Sequence, residues 1–423
     1  MQTITLSAAL AEQDAALASA LQATGLPVAV VSVAGPGARG ERRILAGEER
    51  GVATCRDIVV ERREGAPAFS PAAGGFPTAV RFGDADREFG HALVAELLRP
   101  EHRPAAADVE SARLLSLAKR IAASDATALI LGETGTGKEG MARFMHASSP
   151  RAGRDFIAVN CAALPETMLE AMLFGHQKGS FTGAAAASEG LFRAAHNGTL
   201  LLDEIAEMPL ALQAKLLRAI QEREVLPVGA TRAVPVDVRL IAAANRNLAA
   251  EVEAGRFRAD LYWRLNVLPI TLRPLRERPV DVPAILAALM LRHAPASDPF
   301  PWPTAEAMTL LKSHRWPGNV RELENIVQRA LLLRAGDRLE AGDLAIEPAP
   351  VEAERPAPRD AGVVRQLADV SRSSETMAIA EALAATGGNR VRAAGLLGIS
   401  ERTLRYRLAN IRATAGADQL VAA

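Results

Sequence analysis

The sequence predicts an α/β protein: a parallel sheet covered by helices, then a helical subdomain, a C-terminal three-helix unit, and a small α/β domain in front. Three observations predict this. Between residues 108 and 275, helical patterns alternate with short apolar runs, Ala128–Leu131, Phe156–Val159, Thr199–Leu202 and Val236–Ala243. That alternation marks a parallel sheet wrapped by helices. Residues 276–345 read as helices only, with caps and proline punctuation. Residues 389–408 read as helix, tight turn, helix.

The elements follow in chain order. A chain of 423 residues is too long for one core. Residues 1–105 open with a helical pattern (Leu6, Leu10, Leu17, Leu21), then an apolar run Pro27–Val33 and Gly- and Pro-rich text, and Asp84–Arg99 reads as another helix. This segment is expected to be a regulatory domain, and composition leaves its fold open. A phosphorylatable receiver needs acidic residues after its first strand, an acceptor Asp after its third and a later Lys. Here Val28–Val33 runs into Ala34-Gly-Pro-Gly-Ala-Arg39, and no Lys precedes Lys119, so conventional phosphorylation is not expected. A degenerate receiver, a small sensory fold and a partner-binding module all stay open. Residues 107–275 form the α/β subdomain and 276–345 the helical one. Residues 346–372 form an exposed semi-rigid linker, since Glu347–Pro358 holds four prolines. Residues 373–423 return to helical periodicity.

Bulk composition excludes little. Lys+Arg and Asp+Glu both count 49, so net charge selects no partner. The longest apolar stretches are far too short to span a bilayer. The N-terminus has neither a basic n-region nor an apolar h-region, so a cytoplasmic protein with no membrane partner is expected. Two cysteines, Cys55 and Cys161, cannot build a metal cluster or a disulfide framework. Both read as small residues in a reducing compartment.

The chemistry begins at Gly132-Glu133-Thr134-Gly135-Thr136-Gly137-Lys138, directly after an apolar strand. Glycines let backbone N–H groups turn inward around phosphate oxygens, and the helix that follows presents its positive end. Lys138 supplies a mobile charge for the β- and γ-phosphates of ATP. With 32 Gly and 5 Lys in the chain, chance gives roughly 0.03 occurrences of this spacing. Glu139 stands where such loops usually carry Ser or Thr, so Mg²⁺ must lean on other ligands. Asp203, closing Thr199–Leu202, is the natural one, and Glu204 is placed to polarise an attacking water.

Six stretches then occur in order: GETGTGKE at 132–139, NCAAL at 160–164, LFGHQKGSFTGA at 173–184, GTLLLDEI at 198–205, FRADLYWRL at 257–265 and WPGNVREL at 316–323. The series resembles the AAA+ domain of bacterial enhancer-binding proteins, the sigma-54-dependent transcriptional activators, in which Glu139 is usual. The resemblance implies that Asn160 restrains Glu204 until a partner is met. It makes Asn245 the sensor that orients water or γ-phosphate, and Arg258 and Arg264 trans-acting arginine fingers on one helix. It also brings Arg321 from the helical lid to the nucleotide. Gly179, Ser180, Phe181, Thr182, Gly183 and Ala184 are similar to the loop with which that family touches sigma-54, with Ser180 in place of the usual Ala.

The tail resembles a Fis-type helix-turn-helix. Ser400 is an N-cap, and Ala394, Leu397, Leu404 and Leu408 form the inward face. Six Arg face one acidic residue, Glu401, within 388–412, a patch suited to phosphates. Arg390, Arg392, Ser400, Arg402, Thr403, Arg405, Tyr406 and Arg407 are the candidate DNA contacts, with the second helix in the major groove. The reading implied is an ATPase, dimeric and then hexameric. It binds palindromic half-sites of an upstream enhancer and uses ATP and Mg²⁺ to open the sigma-54 RNA polymerase complex. The tail and the missing phosphorylation chemistry are similar to activators of flagellar genes. The alternative is an AAA+ DNA-binding regulator that does not engage sigma-54. A remodelling chaperone or replication loader is disfavoured by the tail.

Overall fold

The computed structural model describes residues 4–33, 35, 37, 40–180, 186–295, 299–346 and, near the C-terminus, 382, 386, 389–397 and 404. It divides into two units, residues 1–347 and 348–423.

The first unit opens with β1 (Ile4–Ser7), α1 (Ala8–Gln13), α2 (Ala15–Ala23), β2 (Val28–Val31), β3 (Arg42–Ala46), β4 (Ile58–Arg62), β5 (Ala68–Ser70), β6 (Thr78–Phe82) and α3 (Arg87–Leu98). The sheet order is β2-β1-β3-β4-β6-β5. All pairs are parallel except β5 with β6, giving the flavodoxin-like doubly wound order with an added edge strand. The opening helical pattern is corrected here. Leu6 lies in β1, and Ser7 ends that strand by accepting from the Leu10 N–H at 3.2 Å, which starts α1. Leu6, Leu10, Leu17 and Leu21 are all fully buried. Their spacing reports one core fed by a strand and two helices. Residues after β1 and β3 are Ala8 and Gly47, so neither strand delivers a carboxylate of the phosphoacceptor kind.

The second sheet is built from β7 (Ala128–Leu131), β8 (Phe156–Asn160), β9 (Thr199–Asp203), β12 (Arg239–Ala244) and β13 (Leu268–Thr271), in the order β13-β7-β12-β9-β8. Every pair is parallel. The intervening helices are α4 (Val109–Ala122), α5 (Lys138–Ala147), α6 (Glu166–Phe174), α7 (Leu191–Ala194), α8 (Leu210–Glu222), α9 (Leu248–Glu253) and α10 (Ala259–Leu265). A short hairpin pairs β10 (Glu224–Val225) with β11 (Val234–Pro235). Central strands such as β12 are buried on both faces and so read as continuous apolar text. Arg239, at the start of β12, is 1% exposed. Its guanidinium donates to the carbonyls of Ala122 and Ile121 at 3.0 and 3.3 Å, placing a cation at the negative end of α4.

The helical subdomain holds α11 (Val282–His293), α12 (Ala305–Ser313) and α13 (Asn319–Leu333). It is not helical throughout. β14 (Trp302–Pro303) pairs with β15 (Arg338–Leu339), and strands of two residues leave no periodicity to read. Trp316, 1% exposed, donates its indole N–H to Leu311 O at 2.9 Å. Asp281 is fully buried and accepts from Ala107 N, Asp108 N and Ser111 Oγ, which fastens the start of α4 to this subdomain.

The N-terminal domain packs on the same helices. Phe82, Phe89, Leu93, Leu286, Met290 and Trp302 belong to one continuous core. The Phe89 and Trp302 rings meet edge-on at 5.3 Å, and Phe69 meets Phe300 at 4.9 Å. Glu88–Lys312 at 2.6 Å and Asp86–Arg338 ring this contact.

In the second unit α14 (Arg390–Leu396) starts at Asn389, whose side-chain oxygen accepts from Arg392 N at 3.2 Å. Ala382, Ala393, Ala394 and Leu404 are buried together, with Leu397 packed against them. Leu408 lies outside the described residues.

Candidate nucleotide-binding site

β7 delivers the chain into the loop 132–137, and α5 begins at Lys138. Gly135 has φ +79°, and a Cβ there would sit 2.3 Å from Gly318 O. Only glycine allows this contact between the loop and the start of α13. Val320 N donates to Gly135 O at 2.9 Å from the other side. Lys138 is 7% exposed, with Nζ donating to Gly132 O and Glu133 O at 2.9 and 3.1 Å. Burial lowers its pKa, opposed by the charges of Asp203 and Glu204. Weak neutral acceptors and two nearby carboxylates leave this ammonium ready to take phosphate oxygens.

The acidic pair closes β9. Asp203 Oδ1 accepts from Glu204 N at 2.9 Å, and burial raises the Asp203 pKa despite that bond and Lys138. A carboxyl kept from full solvation in this way gains from an added cation. Glu204 adopts φ +52°. β8 and β9 pair in a register that sets Asn160 opposite Asp203. The Asn160 side-chain oxygen accepts from Ala162 N at 2.8 Å, and no bond from Asn160 to Glu204 is found among the described residues. Asn245 follows β12 and donates to Thr134 Oγ1 at 3.3 Å, while its own buried side-chain oxygen has no partner. Glu139 is exposed and paired with Arg143 at 2.7 Å. Thr136 is buried, its hydroxyl donating to Glu133 O at 2.8 Å.

Thr134, Gly135, Thr136 and Gly137 of the loop line a cavity of about 710 Å³ with Lys138, Glu139, Asp203, Glu204 and Arg321, whereas Asn160 and Asn245 are not in its lining. Arg258 and Arg264 do not line it. Arg258 is the N-cap residue of α10 rather than a member of the helix, and it pairs with Asp260 at 2.7 Å. Arg264 lies exposed in the last turn, beside Trp263, which is 70% exposed.

Sequence reasoning passed over several groups. Asn319 read only as part of a turn. It is fully buried and donates to Thr134 O and Glu133 Oε2 at 3.1 and 3.2 Å, while accepting from Leu275 N at 2.8 Å. Arg276 pairs with Glu133 at 2.6 Å, and Arg278 donates to Thr136 O at 3.0 Å. Residues 99 and 101–106, between the N-terminal domain and α4, also line the cavity. Nothing in local sequence marks them.

Of the candidate sigma-54 loop, Gly179 and Ser180 are described, and Phe181, Thr182, Gly183 and Ala184 lie outside the described residues. The stem is firm. His176 and Ser188 exchange both backbone hydrogen bonds at 2.9 and 3.0 Å, and Gln177 N donates to Val228 O at 3.0 Å. Ser180 N and Oγ both donate to Gln177 O, at 3.3 and 2.8 Å. Of the candidate DNA contacts, Arg390 opens α14 and Arg392 is exposed on it. Ser400, Arg402, Thr403, Arg405, Tyr406 and Arg407 lie outside the described residues.

Three family models match the chain: the Sigma-54 interaction domain over residues 105–271, the AAA+ ATPase lid domain over 276–360, and the Fis family of bacterial regulatory proteins over 372–410. The chain is similar to the response regulator protein FleR of Pseudomonas aeruginosa, 50% identical over 349 residues that span 75% of this chain and 72% of that protein. It is also similar to the transcriptional regulatory protein FlbD of Caulobacter vibrioides, 46% identical over 336 residues, 76% of this chain and 73% of that one. Among solved structures, NtrX of Brucella abortus in complex with ADP superposes with a TM-score of 0.54 at 24% identity, covering 96% of this chain and 99% of that one. This likeness shows the fold alone.

Proposed function

Because the chain belongs to the sigma-54-dependent transcriptional activators, nucleotide-binding proteins with an AAA+ ATPase domain and a Fis-type DNA-binding tail, we propose that its ATP hydrolysis opens the sigma-54 polymerase complex. The observation that carries this is an incomplete site. One chain supplies the phosphate loop, the acidic pair and Arg321 around a single cavity, yet its two candidate finger arginines sit exposed outside it. A second copy in a ring, hexameric in this proposal, completes the site when its Arg258 and Arg264 reach the γ-phosphoryl oxygens.

The geometry supports the following roles. The loop N–H groups, Lys138 and Arg321 bind the phosphates. The donor set suits Mg²⁺ held mainly by the substrate, since Asp203 lines the cavity and is in no ion pair among the described residues, Glu139 is paired outward and the Thr136 hydroxyl is engaged. Mg²⁺ bound there would neutralise phosphate charge. Glu204 takes the proton of the attacking water, and the Asn245 amide, joined to the phosphate loop at Thr134, orients that water or the γ-phosphate. Asn160, set beside the pair by register, restrains Glu204 until the Phe181–Thr182 loop meets sigma-54.

The tail reads palindromic half-sites of an enhancer through Arg390, Arg392, Arg402, Arg405 and their neighbours. We take the segment limits of residues 1–105, 107–275, 276–345, 346–372 and 373–423 as domains, the cytoplasm as the site of action, and flagellar genes as targets. No helix among the described residues is long and apolar enough to cross a membrane. The N-terminal domain is read as a doubly wound module without phosphorylation chemistry. The test is open-complex formation on a sigma-54 promoter with wild type and Thr182→Ala. Wild type is expected to open it and the variant to hydrolyse ATP without opening. Hydrolysis by the wild type with no opening supports instead a regulator that does not engage sigma-54.

A further inference from the structure

The cavity lining combines two chemistries. The phosphate loop, Lys138 and the acidic pair are polar and charged. Pro104, Ala105 and Ala106, with Ile285 and Leu289 of α11, add apolar surfaces suited to the flat base of a nucleotide, among charged neighbours such as Glu101 and Arg292. Both apolar surfaces lead to the N-terminal domain. α11 packs on α3 through the shared core. The strap Arg99–Ala106 is held by a separate device. Arg103 Nη2 donates to Thr24 O at 2.6 Å, and Nη1 points at Gly25 O at 3.5 Å. Thr24 caps the C-terminus of α2, so the guanidinium sits at the negative end of that helix. From the other side Arg99, itself paired with Glu96 at 2.5 Å, donates to Arg103 O. Gly25, at φ +73°, leaves room for this arrangement, since a Cβ there would lie 3.0 Å from Arg103 Nη2.

We propose that Arg103 is a positioning residue for the nucleotide: by tying the strap to the end of α2, it holds the wall against which the base of ATP rests. The N-terminal domain is thereby a structural part of the ATP site and sets nucleotide affinity. The proposal rests on the ATPase reading above and deepens it. It makes a prediction that loss of the phosphate site does not, because a wall at the base end affects ATP and leaves a ligand without a base indifferent.

The experiment measures binding of ATP and of inorganic tripolyphosphate to the full chain by calorimetry, together with steady-state ATPase kinetics. Arg103→Ala is expected to weaken ATP about tenfold while tripolyphosphate stays within about twofold, and to raise KM with kcat unchanged, the pattern of lost uniform binding. Arg103→Lys keeps a cation at the Thr24 carbonyl and is expected to recover most of the affinity. Gly25→Ala crowds the same contact from the opposite side and weakens ATP in the same sense. It decides the matter, with the Lys variant, if Arg103→Ala does not fold. Equal weakening of ATP and tripolyphosphate, or unchanged ATP affinity in all three variants, overturns the proposal. Failure of the wild type to bind ATP at all overturns the nucleotide reading beneath it.

Discussion

The chain carries two parallel, helix-covered sheets, and they treat the same edge in opposite ways. In open α/β sheets ligands bind beyond the carboxyl ends of the strands. In the ATPase sheet that edge is open: β7 ends at Leu131 and runs into the phosphate loop, and β9 ends in Asp203, beside a cavity of about 710 Å³. Its polar groups are only loosely engaged, with Lys138 on carbonyls and the Asn245 amide oxygen without a partner. In the N-terminal sheet β4 ends at Arg62, and Asp84 follows β6. Arg62 pairs with Asp14 at 3.1 Å and with Asp84 at 2.5 Å, while Asp14 also accepts from His91 at 2.8 Å. That edge is closed by its own ion pairs. Topology supplies an edge, and whether it becomes a site depends on whether the charges there already have partners.

The comparison breaks most visibly at the ATPase edge. Glu204→Gln is expected to cut kcat by about 10²–10⁴-fold while ATP binding is kept, the signature of a lost general base. Phosphate release and calorimetric titration check the two halves. Unchanged hydrolysis would remove the role given to Glu204. At the N-terminal edge the loss is of stability. Arg62→Met removes the charged partner of Asp14, whose side chain is 4% exposed and keeps only His91 and the Leu17 N–H, and is expected to cost up to about 3 kcal/mol, seen as a lower urea midpoint, with kcat for ATP unchanged. A large fall in kcat with no loss of stability would give the N-terminal edge a chemistry of its own.

The smallest effect concerns pH. Burial lowers the His91 pKa, outweighing the hydrogen bond and charge of Asp14, with Arg62 and Arg87 acting in the same direction as burial. His146, in α5, is shifted the same way by burial. A histidine whose folded pKa lies below its unfolded value of about 6.5 is held neutral by the fold and takes up a proton more readily on unfolding. Its stabilisation is present above that value and is lost as pH falls below it towards the folded pKa. His91→Gln is therefore expected to flatten the acid-side slope of stability without abolishing it, because His146 remains. Urea midpoints between pH 5 and 7.5 measure this. A slope equal to that of the wild type would remove His91 from the account.

What was legible follows the range of the contacts. The phosphate loop is read from seven consecutive residues, because cradling phosphate is a property of local backbone and one lysine. The strand runs Ala128–Leu131 and Thr199–Leu202 appear as written, since buried parallel strands are apolar without interruption. Leu6 misled because a strand followed by two helices can mimic one helical period. Asn319, Arg276 and Arg103 stayed invisible, since each acts on residues 44 to 186 positions away in the chain. The β14–β15 pair escaped for the same reason, each strand being too short to carry a pattern.

The aromatic contact between Phe89 and Trp302 also bears on how such chains are inherited. Modular regulators diversify by exchanging a sensory cassette at a seam between finished surfaces. Here the seam is missing, since Phe82, Phe89, Leu286, Met290 and Trp302 form one core. A crossover near residue 105 would leave apolar faces bare on both fragments. The N-terminal domain and the lid must therefore be passed on together and drift as a matched pair, a change on one side being accepted only with its complement on the other.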